Sequence, residues 1–167
     1  PVDHLYAMPV LVPYLRTILG SGAVVVSPDS GSVKLAQSYS DMLNAGLAIV
    51  AKRRTNATSV VSSHLVGDVQ SRVCLITDDL TTTAGTLVAA AALLKKEGAL
   101  KIYASVSHCL LSELGQKRIK ESNIEQIITT DAVPVADDCN GKIKVISIAK
   151  LLGEAMIRIH EGASVSS

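Results

Sequence analysis

The sequence predicts one α/β domain: a mainly parallel sheet with helices on both faces, three layers in all. Three observations predict it. Short apolar runs alternate along the chain with stretches of helical spacing, the pattern of strand–helix crossovers. Several runs, such as Ala23-Val24-Val25-Val26 and Leu47-Ala48-Ile49-Val50-Ala51, are apolar throughout, which suits strands covered on both faces. The chain has 167 residues, 48% of them hydrophobic, which fits one domain with a sizeable core. That core must be aliphatic, because there is no Phe or Trp and only four Tyr.

The same composition excludes some functions. So few aromatics argue against single-strand nucleic-acid binding, which needs stacking platforms. A net charge of +1 supplies no field toward nucleic acid or a membrane. No segment has enough unbroken apolar residues to span a bilayer. Cys74, Cys109 and Cys139 are odd in number and widely spaced, with no Cys-x-x-Cys pair. Cys74 and Cys109 lie in or beside apolar runs and read as reduced packing residues, which points to the cytoplasm. Pro1, with no initiator Met and no basic segment after it, reads as an internal start and not as a signal peptide.

Taken in order, residues 6–19 set Leu11, Val12, Leu15, Ile18 and Leu19 at helical spacing, with Pro9 in the first turn. Pro13 is expected to kink or interrupt this helix, and His4 before it to face solvent. A strand over 23–27 then passes through Pro28-Asp29-Ser30-Gly31-Ser32 into a helix over 33–43. Such a loop can offer backbone N–H groups to an anion while its carboxylate reaches a bridging metal. The plainer alternative is a helix cap formed by Asp29 or Ser30.

The strand over 47–51 runs into Lys52-Arg53-Arg54, followed by small polar residues. A cation cluster there is by default a solvated loop. Phosphoryl transfer, however, needs positive charge on oxygens that gain charge in the transition state. Residues 59–65 are β-prone and are expected to pair at a sheet edge or form a flap. His64 among them reads as a loop histidine.

The densest chemistry lies between Val73 and Thr86. A strand over 72–77 ends in Asp78-Asp79, then Leu80-Thr81-Thr82-Thr83-Ala84-Gly85-Thr86, and a helix over 87–97 begins. Unpaired N–H groups and the positive dipole end at a helix start suit a phosphate. Gly85 lets the backbone come close, and the hydroxyls of Thr82, Thr83 and Thr86 can donate. Asp78 and Asp79 repel that phosphate; as carboxylates they accept from sugar hydroxyls or hold a divalent cation. The stretch therefore predicts a ligand with a phosphate at one end and a polyol or metal-linked group at the other.

Beyond it come a strand over 101–107 with His108 at its carboxyl edge, a helix over 112–121 and a strand over 124–130. A polar loop, a strand over 143–148 and a helix over 149–160 follow. That last helix sets Leu151, Leu152, Ala155, Met156 and Ile159 on one face. The tail, 162–167, is small and polar.

The run Asp78-Asp79-Leu80-Thr81-Thr82-Thr83-Ala84-Gly85-Thr86 resembles the ribose-phosphate loop of type I phosphoribosyltransferase folds. With Pro1-Val2-Asp3-His4-Leu5-Tyr6-Ala7, Ser27-Pro28-Asp29, Lys52-Arg53-Arg54 and the closing Ser164-Val165-Ser166-Ser167, the chain resembles the C-terminal half of the ribose-phosphate pyrophosphokinase family. The resemblance implies a phosphoribosyltransferase-like fold over residues 1–167 and transfer of diphosphate from ATP to ribose 5-phosphate. It implies that Thr82, Thr83, Ala84, Gly85 and Thr86 hold the 5-phosphate and that Asp78 and Asp79 engage the ribose hydroxyls. Asp29, Ser30, Gly31 and Ser32 would form the pyrophosphate loop, with Asp29 near Mg2+. Lys52 and Arg54 would contact the ATP phosphates from a mobile catalytic loop, and Ser164, Val165 and Ser166 would belong to a phosphate or ADP regulatory site between subunits. Partners would be an N-terminal half carrying the adenine pocket, and neighbouring subunits in a dimer or hexamer. Ser32 and Thr82 stand where the family usually has Gly and Asp, which leaves a second reading open: a non-catalytic, synthetase-like regulatory subunit.

Overall fold

The computed structural model describes residues 2–53 and 62–165, with the side chains of 52, 53 and 62 outside the description. Its seven strands are β1 (Val24–Ser27), β2 (Gly46–Arg53), β3 (Ser62–Val66), β4 (Val73–Thr81), β5 (Lys101–Cys109), β6 (Gln126–Thr130) and β7 (Ile143–Ile146). They form one sheet in the order β3-β2-β1-β4-β5-β6-β7. Neighbours are parallel except β2 and β3, whose antiparallel register pairs Ile49 with Val66 and Ala51 with His64. The expected mainly parallel α/β sheet is therefore present, and from residue 62 on the β-prone stretch does close an edge.

Among the described residues five helices cover the sheet: α1 (Met8–Leu19), α2 (Val33–Leu43), α3 (Gly85–Lys96), α4 (Glu113–Glu121) and α5 (Ala149–His160). Successive strand residues point to opposite faces, and this divides the core in two. Val24, Val26, Cys74, Ile76 and Ile127 pack with Leu87, Ala90, Ala91 and Leu94 of α3 and Ile119 of α4. Val25, Leu75 and Ile128 pack on the other side with Leu11 and Leu15 of α1 and Ala36 and Tyr39 of α2. The three thiols are buried and unbridged, and burial lifts those of Cys74 and Cys109 to about 11. Among the described residues no helix is long and apolar enough to cross a membrane.

Three expectations are corrected. α1 runs unbroken through Pro13. Pro13 lies on the exposed face, while Leu11, Val12 and Leu15 on the other face are buried and hold the helix down. β4 does not stop at Thr77 but continues through Asp78 and Asp79 to Thr81. β5 is equally long and supplies ladder partners, Val106 for Asp78 and Cys109 for Thr81, and it carries His108 inside the strand opposite Leu80. The apolar face of α5 is not a core face: Ala155 alone is buried in that helix, and Met156, Ile157 and Ile159 are exposed.

Candidate functional site

The carboxyl ends of β1 and β4, neighbours in the sheet, bring two strand–loop–helix turns together. In open α/β sheets this is where ligands bind. From β4 the chain passes through Thr82 and Thr83 to Ala84, which takes the left-handed conformation (φ 54) and precedes α3. The positive φ thus falls on Ala84 and not on Gly85. No side chain caps α3, so its first N–H groups keep the orphan character of a helix start. Among the described residues no hydrogen bond uses the N–H of Thr82, Thr83 or Ala84 either. Asp78, Leu80 and residues 81–87 line a cavity of about 110 Å3. An anion placed there would meet a row of unpartnered donors at the positive end of a helix.

The carbonyls of Thr81, Thr82 and Thr83 are taken up from outside the loop. Thr81 O accepts from Leu110 N (2.9 Å), Thr82 O from Ser112 N (3.0 Å) and Ser112 Oγ (3.3 Å), and Thr83 O from Arg118 Nη1 (3.0 Å). Ser112 is also the N-cap of α4. Gly115, inside α4, lies directly against the Thr82 carbonyl oxygen, so that a Cβ there would overlap it.

Asp78 and Asp79 are adjacent strand residues and so face opposite ways. Asp78 is half-buried beside the small cavity. Asp79 is exposed and lines a larger one of about 450 Å3, shared with Gly31, Ser32, Leu35, His108 and Leu151. Burial raises the Asp78 carboxyl above its ordinary range; hydrogen bonds from Ser32 and the Asp79 N–H partly offset this, and the charges of Asp79 and Asp29 add to the rise. Its Oδ1 accepts from Ser32 Oγ (3.0 Å) and Asp79 N (3.0 Å). Ser32 thereby joins the two turns.

The β1 turn is closed on itself. Asp29 Oδ1 accepts from Gly31 N (2.8 Å) and Ser32 N (3.1 Å), and Ser27 Oγ donates to Asp29 O (2.6 Å). Ser30 is exposed. Asp29 Oδ2 takes no hydrogen bond among the described residues. No group of three His, Cys, Asp or Glu side chains fit for a metal occurs among them.

The remaining candidates are described only in part. Lys52 is described only as backbone in β2, paired with Ser63, and Arg54 falls outside the described residues. Ser164 and Val165 follow α5, where the Ser164 carbonyl accepts from Arg158 Nη1 (3.0 Å); neither is among the described lining of the two cavities. Ser166 is outside the description.

Sequence reasoning missed Arg118, Ser112 and the bond from Ser32 to Asp78. A signal was available for one part of this: Gly115 inside a nine-residue helix is costly unless another backbone approaches closely.

A family model described as the phosphoribosyl synthetase-associated domain matches residues 60–167. The chain belongs to that family. Ribose-phosphate pyrophosphokinase A of Dictyostelium discoideum is 45% identical over all of this chain and 53% of its own length. A phosphoribosylpyrophosphate synthetase structure from Mycobacterium smegmatis superposes with a TM-score of 0.88 at 33% identity, over 98% of this chain and 53% of that one. An APRTase from Giardia lamblia, at TM-score 0.55 and 17% identity over 74% of this chain and 77% of its own, shares the fold alone. The fold is thus of the phosphoribosyltransferase kind, and the chain spans about half the length of the family relatives it matches.

Proposed function

We propose that this chain is the C-terminal, ribose-5-phosphate-binding half of a ribose-phosphate diphosphokinase. The reaction moves the β,γ-diphosphoryl group of ATP to the anomeric hydroxyl of ribose 5-phosphate, giving phosphoribosyl pyrophosphate and AMP. The observation that carries the reading is the row of unpartnered N–H groups at the start of α3, set beside two carboxylates that open onto different cavities. In this reading Thr82, Thr83, Ala84, Gly85 and Thr86 bind the 5-phosphate. Asp78 and Asp79 accept hydrogen bonds from the ribose hydroxyls and fix the attacking oxygen in place, an orientation effect. Lys52 and Arg54 supply cations to the ATP phosphates.

Asp29 suits Mg2+: it offers one oxygen with no hydrogen bond, and magnesium is commonly held by one or two carboxylates together with substrate phosphates. Bound there, the ion would neutralise phosphate charge. Ser30, Gly31 and Ser32 supply the pyrophosphate loop. Ser164, Val165 and Ser166 are assigned to a phosphate or ADP regulatory site between subunits. The buried, unbridged thiols support a cytoplasmic setting.

Calorimetry tests the reading. Ribose 5-phosphate added to the folded chain with magnesium should bind, ribose far more weakly, and the chain alone should release no AMP from ATP. Absence of heat with ribose 5-phosphate sinks the assignment.

One observation favours the non-catalytic regulatory reading. The Ser32 hydroxyl occupies an acceptor position on Asp78, which a Gly could not do. AMP release by a full-length chain, alone and mixed with an active synthetase, separates the two.

A further inference from the structure

We infer that Arg118 is a positioning residue for the phosphate cradle: by holding the Thr83 carbonyl it turns the Ala84 N–H toward the anion. The inference rests on the ribose-phosphate reading. In a planar trans peptide the carbonyl and the next N–H point in opposite directions, and no peptide among the described residues is cis. The carbonyls of Thr81, Thr82 and Thr83 are bonded by Leu110, Ser112 and Arg118. The N–H groups of Thr82, Thr83 and Ala84 therefore face the other way. Thr82, Thr83 and Ala84 line the small cavity, and none of Leu110, Ser112 and Arg118 is among its described lining.

The three anchors differ in kind. The first two are backbone donors of the segment that joins β5 to α4, and they persist whatever the side chains. The third is one side chain, 35 residues away in sequence. It also bears on the least comfortable residue of the loop, since Ala84 is a non-glycine held at positive φ, a strained conformation for an L side chain. A guanidinium is the suitable group here. It is always charged, its donors are rigidly placed, and its hydrogen bond to a carbonyl is charge-assisted.

The test uses the full 167-residue chain and its Arg118→Ala, Arg118→Lys and Arg118→Gln variants. Calorimetry reads the affinity for ribose 5-phosphate, and 1H–15N spectra read the Thr83 and Ala84 amides. Arg118→Ala should weaken binding about tenfold, the loss expected for one charge-assisted bond. Arg118→Lys should recover most of the affinity. The Ala84 amide shift on adding ribose 5-phosphate should shrink in the Ala variant and return with Lys, a readout that a general brace would not restore. Arg118→Gln keeps a long, helix-compatible side chain without charge and replaces the Ala variant if that one fails to fold. Wild-type affinity and an unchanged Ala84 response in the uncharged variant overturn the inference and leave the ribose-phosphate reading standing. If wild type itself binds no ribose 5-phosphate, the reading fails and this inference with it.

Discussion

Two turns with the same outline stand side by side at the carboxyl ends of the strands, after β1 and after β4, and they spend their backbone donors differently. After β1, the carboxylate of Asp29 accepts from the loop N–H groups of Gly31 and Ser32. After β4, the loop N–H groups of Thr82, Thr83 and Ala84 take no partner among the described residues, and the carbonyls are held by the segment joining β5 to α4 and by Arg118 of α4; no side chain caps α2 or α3. A strand, an acid, a glycine and a helix do not alone make an anion site. What matters is whether the donors remain free, and that depends on distant residues. The β4 turn is ready for an anion as it stands, while the β1 turn becomes ready only when Asp29 turns off its own backbone, as a cation at its second oxygen would favour.

The strongest way to break this contrast is Gly115→Ala. The added methyl overlaps the Thr82 carbonyl oxygen and crowds Leu111. Because backbone cannot move aside cheaply, the variant should lose about 2 kcal/mol, in the range of overpacked sites. Urea unfolding measures this, and ribose 5-phosphate affinity should fall with it. Unchanged stability would mean that α4 does not brace the loop.

Asp29→Ala should convert the first turn into the second. Losing these two bonds should cost about 1 kcal/mol of stability, yet it frees the N–H groups of Gly31 and Ser32. Without magnesium this variant should bind inorganic pyrophosphate more tightly than wild type, as read by calorimetry. With magnesium the order should reverse. If pyrophosphate affinity without the metal stays the same, self-closure of the β1 turn has no energetic weight.

The smallest effect on stability concerns Asp78. Burial raises its folded pKa above the ordinary value, so the native state holds this proton to higher pH than the unfolded state does. Its contribution to stability is therefore full at pH below the ordinary carboxylate value and declines as pH rises through the folded pKa. Asp78→Asn keeps the shape and an acceptor for Ser32 and the Asp79 N–H. It should be slightly more stable than wild type at neutral pH, the gap closing as pH falls below the ordinary carboxylate range, while ribose 5-phosphate binding is lost. Thermal unfolding across pH would show the gap close; a constant gap would mean that Asp78 is not desolvated.

Much of the fold was readable because it depends on local periodicity. The helices over Val33–Leu43 and Ala149–His160 have the bounds their apolar spacing predicts, and the parallel sheet follows from strands apolar on both faces. The misreadings share a cause. Two adjacent acids look like the end of a strand, but β5 extends beside them and keeps the ladder going. Pro13 looks like a break, but Leu11 and Leu15 pin the helix through it. The site was legible only along the chain. Asp78 and the residues 82–86 could be grouped from the sequence, whereas the bonds from Ser32 to Asp78 and from Arg118 to Thr83 join residues 46 and 35 positions apart, with no local pattern to announce them.

The outer surface of α5 governs how the chain behaves in a tube. Met156, Ile157 and Ile159 stand in water next to a partly exposed Leu152, and such a stripe makes molecules stick to one another as protein and salt are raised. Light scattering should climb with concentration, so titrations belong in dilute, low-salt solution. Replacing Met156 and Ile159 with Glu and Lys should yield a better-behaved sample without disturbing either turn.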